Sequence, residues 1–201
     1  RFNNAQRMSV GVDTVLFLQE TSTHRMPGSS RMVGRIAPRK HVRDVVEALI
    51  ALQGVGAHPS LTLVGDTAPE HEAYRDGVMS LASAANIGLS VRGGVPHDDL
   101  PRIYQEHDIV VNVSEPGMFD KTMLEALASG CLLLTRHEDL ARELDPRQST
   151  TGDVPDIAQK LHALQSLPVG EREALEKEGR RIAEAHSLET LAWRLAGMMS
   201  V

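Results

Sequence analysis

Two rhythms of apolar and polar residues alternate along this chain. Short aliphatic or β-branched runs, such as Leu61-Thr62-Leu63-Val64 and Ile109-Val110-Val111, lack a polar face and read as strands covered on both sides. Between them, apolar residues recur every three or four positions. Val42, Val45, Val46, Leu49, Ile50 and Leu52 do so over 41–53. Met123, Leu124, Leu127 and Ala128 do so between Asp120 and Gly130, and that glycine stops the helix. The pattern predicts strands over 31–36, 61–66, 89–92, 108–113 and 131–134, with helices over 41–53, 71–84, 99–106 and 121–129. After Thr135 it predicts a short helix over 138–144, a polar loop over 145–155, and amphipathic helices over 156–167, 170–186 and 188–199.

Strand and helix alternating at this spacing means βαβ units and a mainly parallel sheet, with right-handed crossovers placing helices on both faces. The expected fold class is α/β, a Rossmann-like parallel sheet with helices on both faces and further C-terminal helices. Residues 1–30 read as an irregular segment, in which Val15-Leu16-Phe17-Leu18 is one short apolar stretch and Met26-Pro27-Gly28-Ser29-Ser30 is turn material. With no internal repeat, low-complexity tract or linker, one domain over 31–186 followed by a terminal helical segment over 187–201 is the economical division.

Composition narrows the function. Of 201 residues, 41% are hydrophobic, enough for a sizeable core, yet only 3% are aromatic, so the core is aliphatic and stacking platforms for bases are scarce. A net charge of −6 argues against nucleic acid as a partner. One cysteine excludes an internal disulfide framework and fits a reducing cytosol, so a cytoplasmic location is expected. No run approaches the length of a membrane span. None of the nine histidines stands in an HxxxH or HExxH arrangement, so no metal site is expected. His41, His71, His97 and His107 read as surface or loop residues, and Cys131 as core. There is neither a GxSxG elbow nor a Walker-type loop.

Four segments offer candidate chemistry, each beside a plainer reading. Arg35 and Lys40 flank a loop between a strand and a helix, suited to a diphosphate or simply to solvent. Gly65-Asp66 is either a plain turn or a place where a ligand approaches the backbone. Arg92-Gly93-Gly94 follows a strand and either reads the edge of a nucleobase or serves chain geometry. The stretch Gly117, Met118, Phe119, Asp120, Lys121 precedes a helix whose amides suit a phosphate or a sugar hydroxyl. On that helix, Glu125 is either an exposed i,i+4 partner or a carboxylate for a ribose diol, and its flanks Leu124 and Ala126-Leu127-Ala128 point to burial.

In this order the segments resemble the C-terminal, nucleotide-sugar-binding half of a GT-B fold retaining glycosyltransferase of the group 1 / family 4 type. The resemblance is carried by Gly11-Val12-Asp13 with Phe17, VGRIAPRKHV (33–42), LTLVGD (61–66), VRGGVPHDDLPRIYQEHDIVVNVS (91–114) and FDKTMLEALASG (119–130). It implies that Arg35 and Lys40 hold the donor diphosphate, Glu125 the ribose, and residues 91–95 with Arg92, Gly93 and Gly94 the base. It implies that residues 117–120 wrap the donor sugar. Two departures stand out. Gly117 occupies the position, eight before Glu125, where the family has a first glutamate, as in a subgroup with Gly-x-Phe-Asp-Lys; Asp120 or Lys121 then takes over sugar contacts. The Gly-Gly loop usual after Thr135 is also lacking.

The implied function is donor binding for transfer of a sugar from a nucleotide-diphosphate sugar to an acceptor hydroxyl, with retention and with no cofactor. Partners are the nucleotide sugar and an N-terminal acceptor domain, against which the helix over 188–199 packs and through which peripheral membrane association would come. The fragment alone is expected to transfer nothing. A non-catalytic nucleotide-binding or interaction domain and a nucleotide-sugar epimerase are the alternatives.

Overall fold

The structure, a computed structural model, describes residues 10–17, 26–54, 56–115 and 120–199. Five strands, β1 (Met26–Val33), β2 (Ser60–Val64), β3 (Gly88–Arg92), β4 (His107–Asn112) and β5 (Leu132–Thr135), form one parallel sheet in the order β3-β2-β1-β4-β5. Nine helices among the described residues surround it: α1 (Thr14–Phe17), α2 (Val42–Gln53), α3 (Glu72–Ala84), α4 (Leu100–Gln105), α5 (Lys121–Ala128), α6 (Glu138–Ala141), α7 (Val154–Gln165), α8 (Val169–Ala185) and α9 (Leu188–Met199). The α/β class and the helices on both faces agree with the sequence pattern.

Alternation along each strand divides the core in two. Ile109 and Val111 of β4, with Leu132 and Leu134 of β5, pack under α2, α3 and α7. Val110 and Leu133 point the other way, to Phe17 of α1, Tyr104 of α4, Leu124 and Leu127 of α5, and Ile182 of α8. Leu124 and Leu127 are fully buried, which contributes about 2 kcal/mol each. The chain builds β1, β2 and β3 outward in one direction, then crosses back to place β4 on the other side of β1. The crevice between β1 and β4 is therefore the switch point, where open α/β sheets bind ligands.

The first strand corrects the sequence reading. It begins at Met26 and ends at Val33 rather than spanning 31–36, so residues 26–30 belong to the sheet, and α1 also interrupts the segment read as irregular. A Pro-Gly pair signals a turn, but the pairing of β1 with β4 shifts register between Met26 and Ser30, and such an irregularity tolerates both residues. Gly34, at φ 127°, ends the strand. Residues 18–25 lie outside the described residues.

Beyond β1, β2 and β3 the loops lock together. Gly34 N–H donates to Val64 O, Ile36 N–H to Asp66 O, and Gly65 N–H to Arg92 O. At the far side, Val12 pairs with Ser187, and Val12 N–H donates to His186 O at 3.0 Å, so the stretch leading into α1 runs beside the α8–α9 junction. On α9, Trp193 is 74% exposed, and Leu188 and Leu195 are also exposed. Among the described residues, no helix is long and apolar enough to cross a membrane.

Candidate functional site

Cations gather where the switch point opens. The loop after β1 carries Arg35, exposed, and Lys40, half-buried, just before α2. Lys40 Nζ donates to Asp120 Oδ2, linking this loop to the start of α5. Asp120 is the N-cap of α5: its Oδ1 accepts from Thr122 N–H at 3.2 Å, while Oδ2 also faces Asn112 Nδ2 at 3.3 Å. Burial pushes the Asp120 carboxyl pKa up, but Lys40 and Thr122 more than offset this and hold it below its ordinary value. A cavity of about 570 Å3 lies alongside, lined by Arg35, Arg39, Lys40, Asp120 and Lys121, with Glu70 and His71 from beyond β2. The sequence-selected Arg35, Lys40, Asp120 and Lys121 thus share one space. Gly117, Met118 and Phe119 lie outside the described residues.

The capping role makes a prediction of its own. Asp120→Ala is expected to lower stability by about 1 kcal/mol, whereas Asp120→Asn, which still caps, costs less. Urea denaturation of the two variants checks the ranking.

Glu125 is buried, 4% exposed, within a helix otherwise given to the core. Both carboxylate oxygens have neighbours. Tyr104 Oη donates to Oε2 at 3.0 Å, and His97 Nε2 lies 3.4 Å from Oε1. Burial raises the Glu125 pKa; the Tyr104 hydroxyl and His97 reduce the rise without cancelling it. Tyr104 is wholly buried, and Phe17 stands edge-on to both rings, 5.9 Å from Tyr104 and 5.4 Å from His97. The burial inferred from the flanks of Glu125 holds. The i,i+4 surface partner does not, since its contacts are 21 and 28 residues away.

Arg92, Gly93 and Gly94 lie apart from this cavity, at the β3 edge. Arg92 Nη1 donates to Glu106 Oε2 at 2.7 Å, and Gly94 N–H donates to Asp66 Oδ1 at 2.7 Å. One backbone donor of the Gly-Gly pair is therefore already engaged, and Asp66 serves that loop. Glu106 also reaches Arg31, a wholly buried arginine of β1, which donates to Ile103 O and faces His107 Nε2 at 3.4 Å. His107 corrects the expectation of a surface histidine: it is 1% exposed, and its Nε2 is 2.9 Å from Thr62 Oγ1. Cys131 is core, as read.

Sequence reasoning passed over Tyr104, His97, Asn112, Glu70 and His71. For Tyr104 there was a signal. In a chain with two tyrosines, one inside a short apolar helix brings a hydroxyl into the core and calls for a polar partner. For the others, contact depends on loops converging from different strands, which no local spacing reveals. Among the described residues, no group of three or more His, Cys, Asp or Glu could hold a metal ion.

The family model described as "Glycosyl transferase-like" matches residues 39–198. Among solved structures, HepE from Anabaena, in complex with UDP and glucose, superimposes with a TM-score of 0.78 at 17% identity, over 94% of this chain and 55% of that one. The C-terminal domain of a glycosyl transferase group 1 family protein, LpcC from Francisella tularensis, gives 0.77 at 20% identity, over 89% of this chain and 100% of that one. Sucrose-phosphate synthase from Thermosynechococcus elongatus gives 0.76 at 21% identity, over 95% of this chain and 51% of that one. The chain thus spans about half the length of HepE and of the synthase and all of the LpcC domain. No curated protein matches it.

Proposed function

Because the chain belongs to the glycosyl transferase-like family, we propose that it is the donor-binding half of a GT-B glycosyltransferase that uses a nucleotide-diphosphate sugar. The observation that carries this reading is the convergence of Arg35, Lys40 and the first turn of α5 on one cavity at the switch point, with Glu125 a little over one helical turn further on. HepE, of the same fold, is in complex with UDP and glucose, which supports a similar donor here.

In this reading the diphosphate lies against Arg35 and Lys40, and Lys40 exchanges Asp120 for a phosphate oxygen. Glu125 takes the ribose, residues 91–95 face the base, and Asp120 and Lys121 stand nearest the sugar. The bond between the anomeric carbon and the phosphate oxygen breaks, and the acceptor oxygen bonds to that carbon on the same face. The acceptor's proton passes to the departing phosphate, so configuration is retained. Arg35, Lys40 and the amides of α5 stabilise the charge that builds on the leaving nucleotide. No cofactor beyond the donor enters. The acceptor site belongs to a second domain, which would cover the exposed face of α9 around Trp193; any membrane association would come through that domain, and the place of action is the cytoplasm.

Calorimetric titration with UDP and GDP tests the reading. One of the two should bind, and Arg35→Ala and Lys40→Ala should each weaken it about ten- to a hundredfold, the worth of a charged hydrogen bond. Absence of binding by either nucleotide would sink the donor-domain assignment in favour of a non-catalytic domain of the same fold.

A further inference from the structure

The two neighbours of Glu125 differ in permanence. Tyr104 is packed between Phe17 and the α5 face of the core, so its hydroxyl cannot leave Oε2 without disrupting that packing. His97 sits on a short turn, His97–Asp99, beyond the Gly93-Gly94 loop, and its side chain is 55% exposed. At 3.4 Å its contact with Oε1 is at the long limit of a hydrogen bond, and such a contact is cheaply broken. Yet the contact matters while the site is empty. A carboxylate 4% exposed loses solvation, and each unpartnered oxygen is costly.

Resting on the donor-site reading, we propose that His97 is a displaceable cover on Glu125, occupying the position a ribose hydroxyl takes and withdrawing when the nucleotide arrives. Tyr104 is then a positioning residue: its fixed hydroxyl on Oε2 leaves Oε1 as the oxygen presented to the ligand. Phe17, edge-on to both rings, sets the resting place of the cover.

The test compares this chain with its His97→Ala and Tyr104→Phe variants. Each is titrated with UDP, GDP and their 2′,3′-dideoxy counterparts, with thermal melts to verify folding. Removing the cover removes the work of displacing it, so His97→Ala should bind the ribonucleotide about two- to tenfold tighter. Its affinity for the dideoxy nucleotide should be unchanged. Tyr104→Phe should lower the ratio of ribo to dideoxy affinity by a similar factor. Equal or weaker ribonucleotide binding by His97→Ala overturns the proposal, since the imidazole is then irrelevant or a ligand contact. A wild-type chain that binds both nucleotide forms equally also overturns it while leaving the phosphate site standing. A wild-type chain that binds neither UDP nor GDP refutes the donor-site reading itself.

Discussion

His107 alone is expected to cost about 3 kcal/mol of stability as pH drops from 6.5 to 4. Burial, and then the Arg31 guanidinium, push its pKa down from 6.5 to about 4. The folded-state value lies below the unfolded one, so within this window the unfolded chain binds more protons, and folding weakens as pH falls. Below about 4 both states are protonated at this site and its contribution is spent. Glu125 acts in the opposite sense: its raised pKa makes the native state take a proton sooner, which offsets part of the loss. His107→Gln separates the two. Urea denaturation at several pH values should show a shallower slope between pH 6.5 and 4 in the variant. Parallel slopes would remove His107 from the account.

Gly65→Ala should cost about 3 kcal/mol or more. Gly65 adopts φ +142°, a conformation L residues rarely take, and a Cβ there would stand 2.3 Å from Gly34 O. The obstacle is backbone, so relief requires moving the loop that carries Arg35. On the proposed donor-site reading, the variant should therefore lose nucleotide affinity as well as stability. Gly77 supplies the contrast. It lies inside α3 with nothing within 4 Å of its missing Cβ, so Gly77→Ala should stabilise by about 0.5–1 kcal/mol. Thermal melts of the two variants, opposite in sign, check the pair, and a Gly65→Ala melt equal to wild type would contradict the loop packing.

These cases mark what local sequence can tell. Runs such as Ile109 to Val111 declare a strand covered on both sides because no solvent face needs polar residues, and the stripe of α5 declares its buried side equally well. The start of β1 was hidden because Pro27 and Gly28 carry turn chemistry, and only the pairing of Met26 and Ser30 with β4, on either side of them, carries the strand through. Arg31 and His107 run against the usual surface preference of charged and polar residues. Their burial rests on Thr62, Ile103 and Glu106, which come from β2, α4 and its end. In the site, Lys40 and Glu125 were legible from their placement at loop and helix start. Their partners Asp120, Tyr104 and His97 stand 80, 21 and 28 residues away, so only the folded sheet reveals that each charge already has company.

The pairing of Val12 with Ser187 has a consequence for the newly made chain. Phe17, which steadies both His97 and Tyr104, belongs to a segment anchored by His186 and Leu188. A ribosome must therefore release nearly all of this sequence before the aromatic corner around Glu125 can be sealed. The corner around Glu125 is therefore closed by contacts far apart in sequence, and such non-local contacts form late in folding.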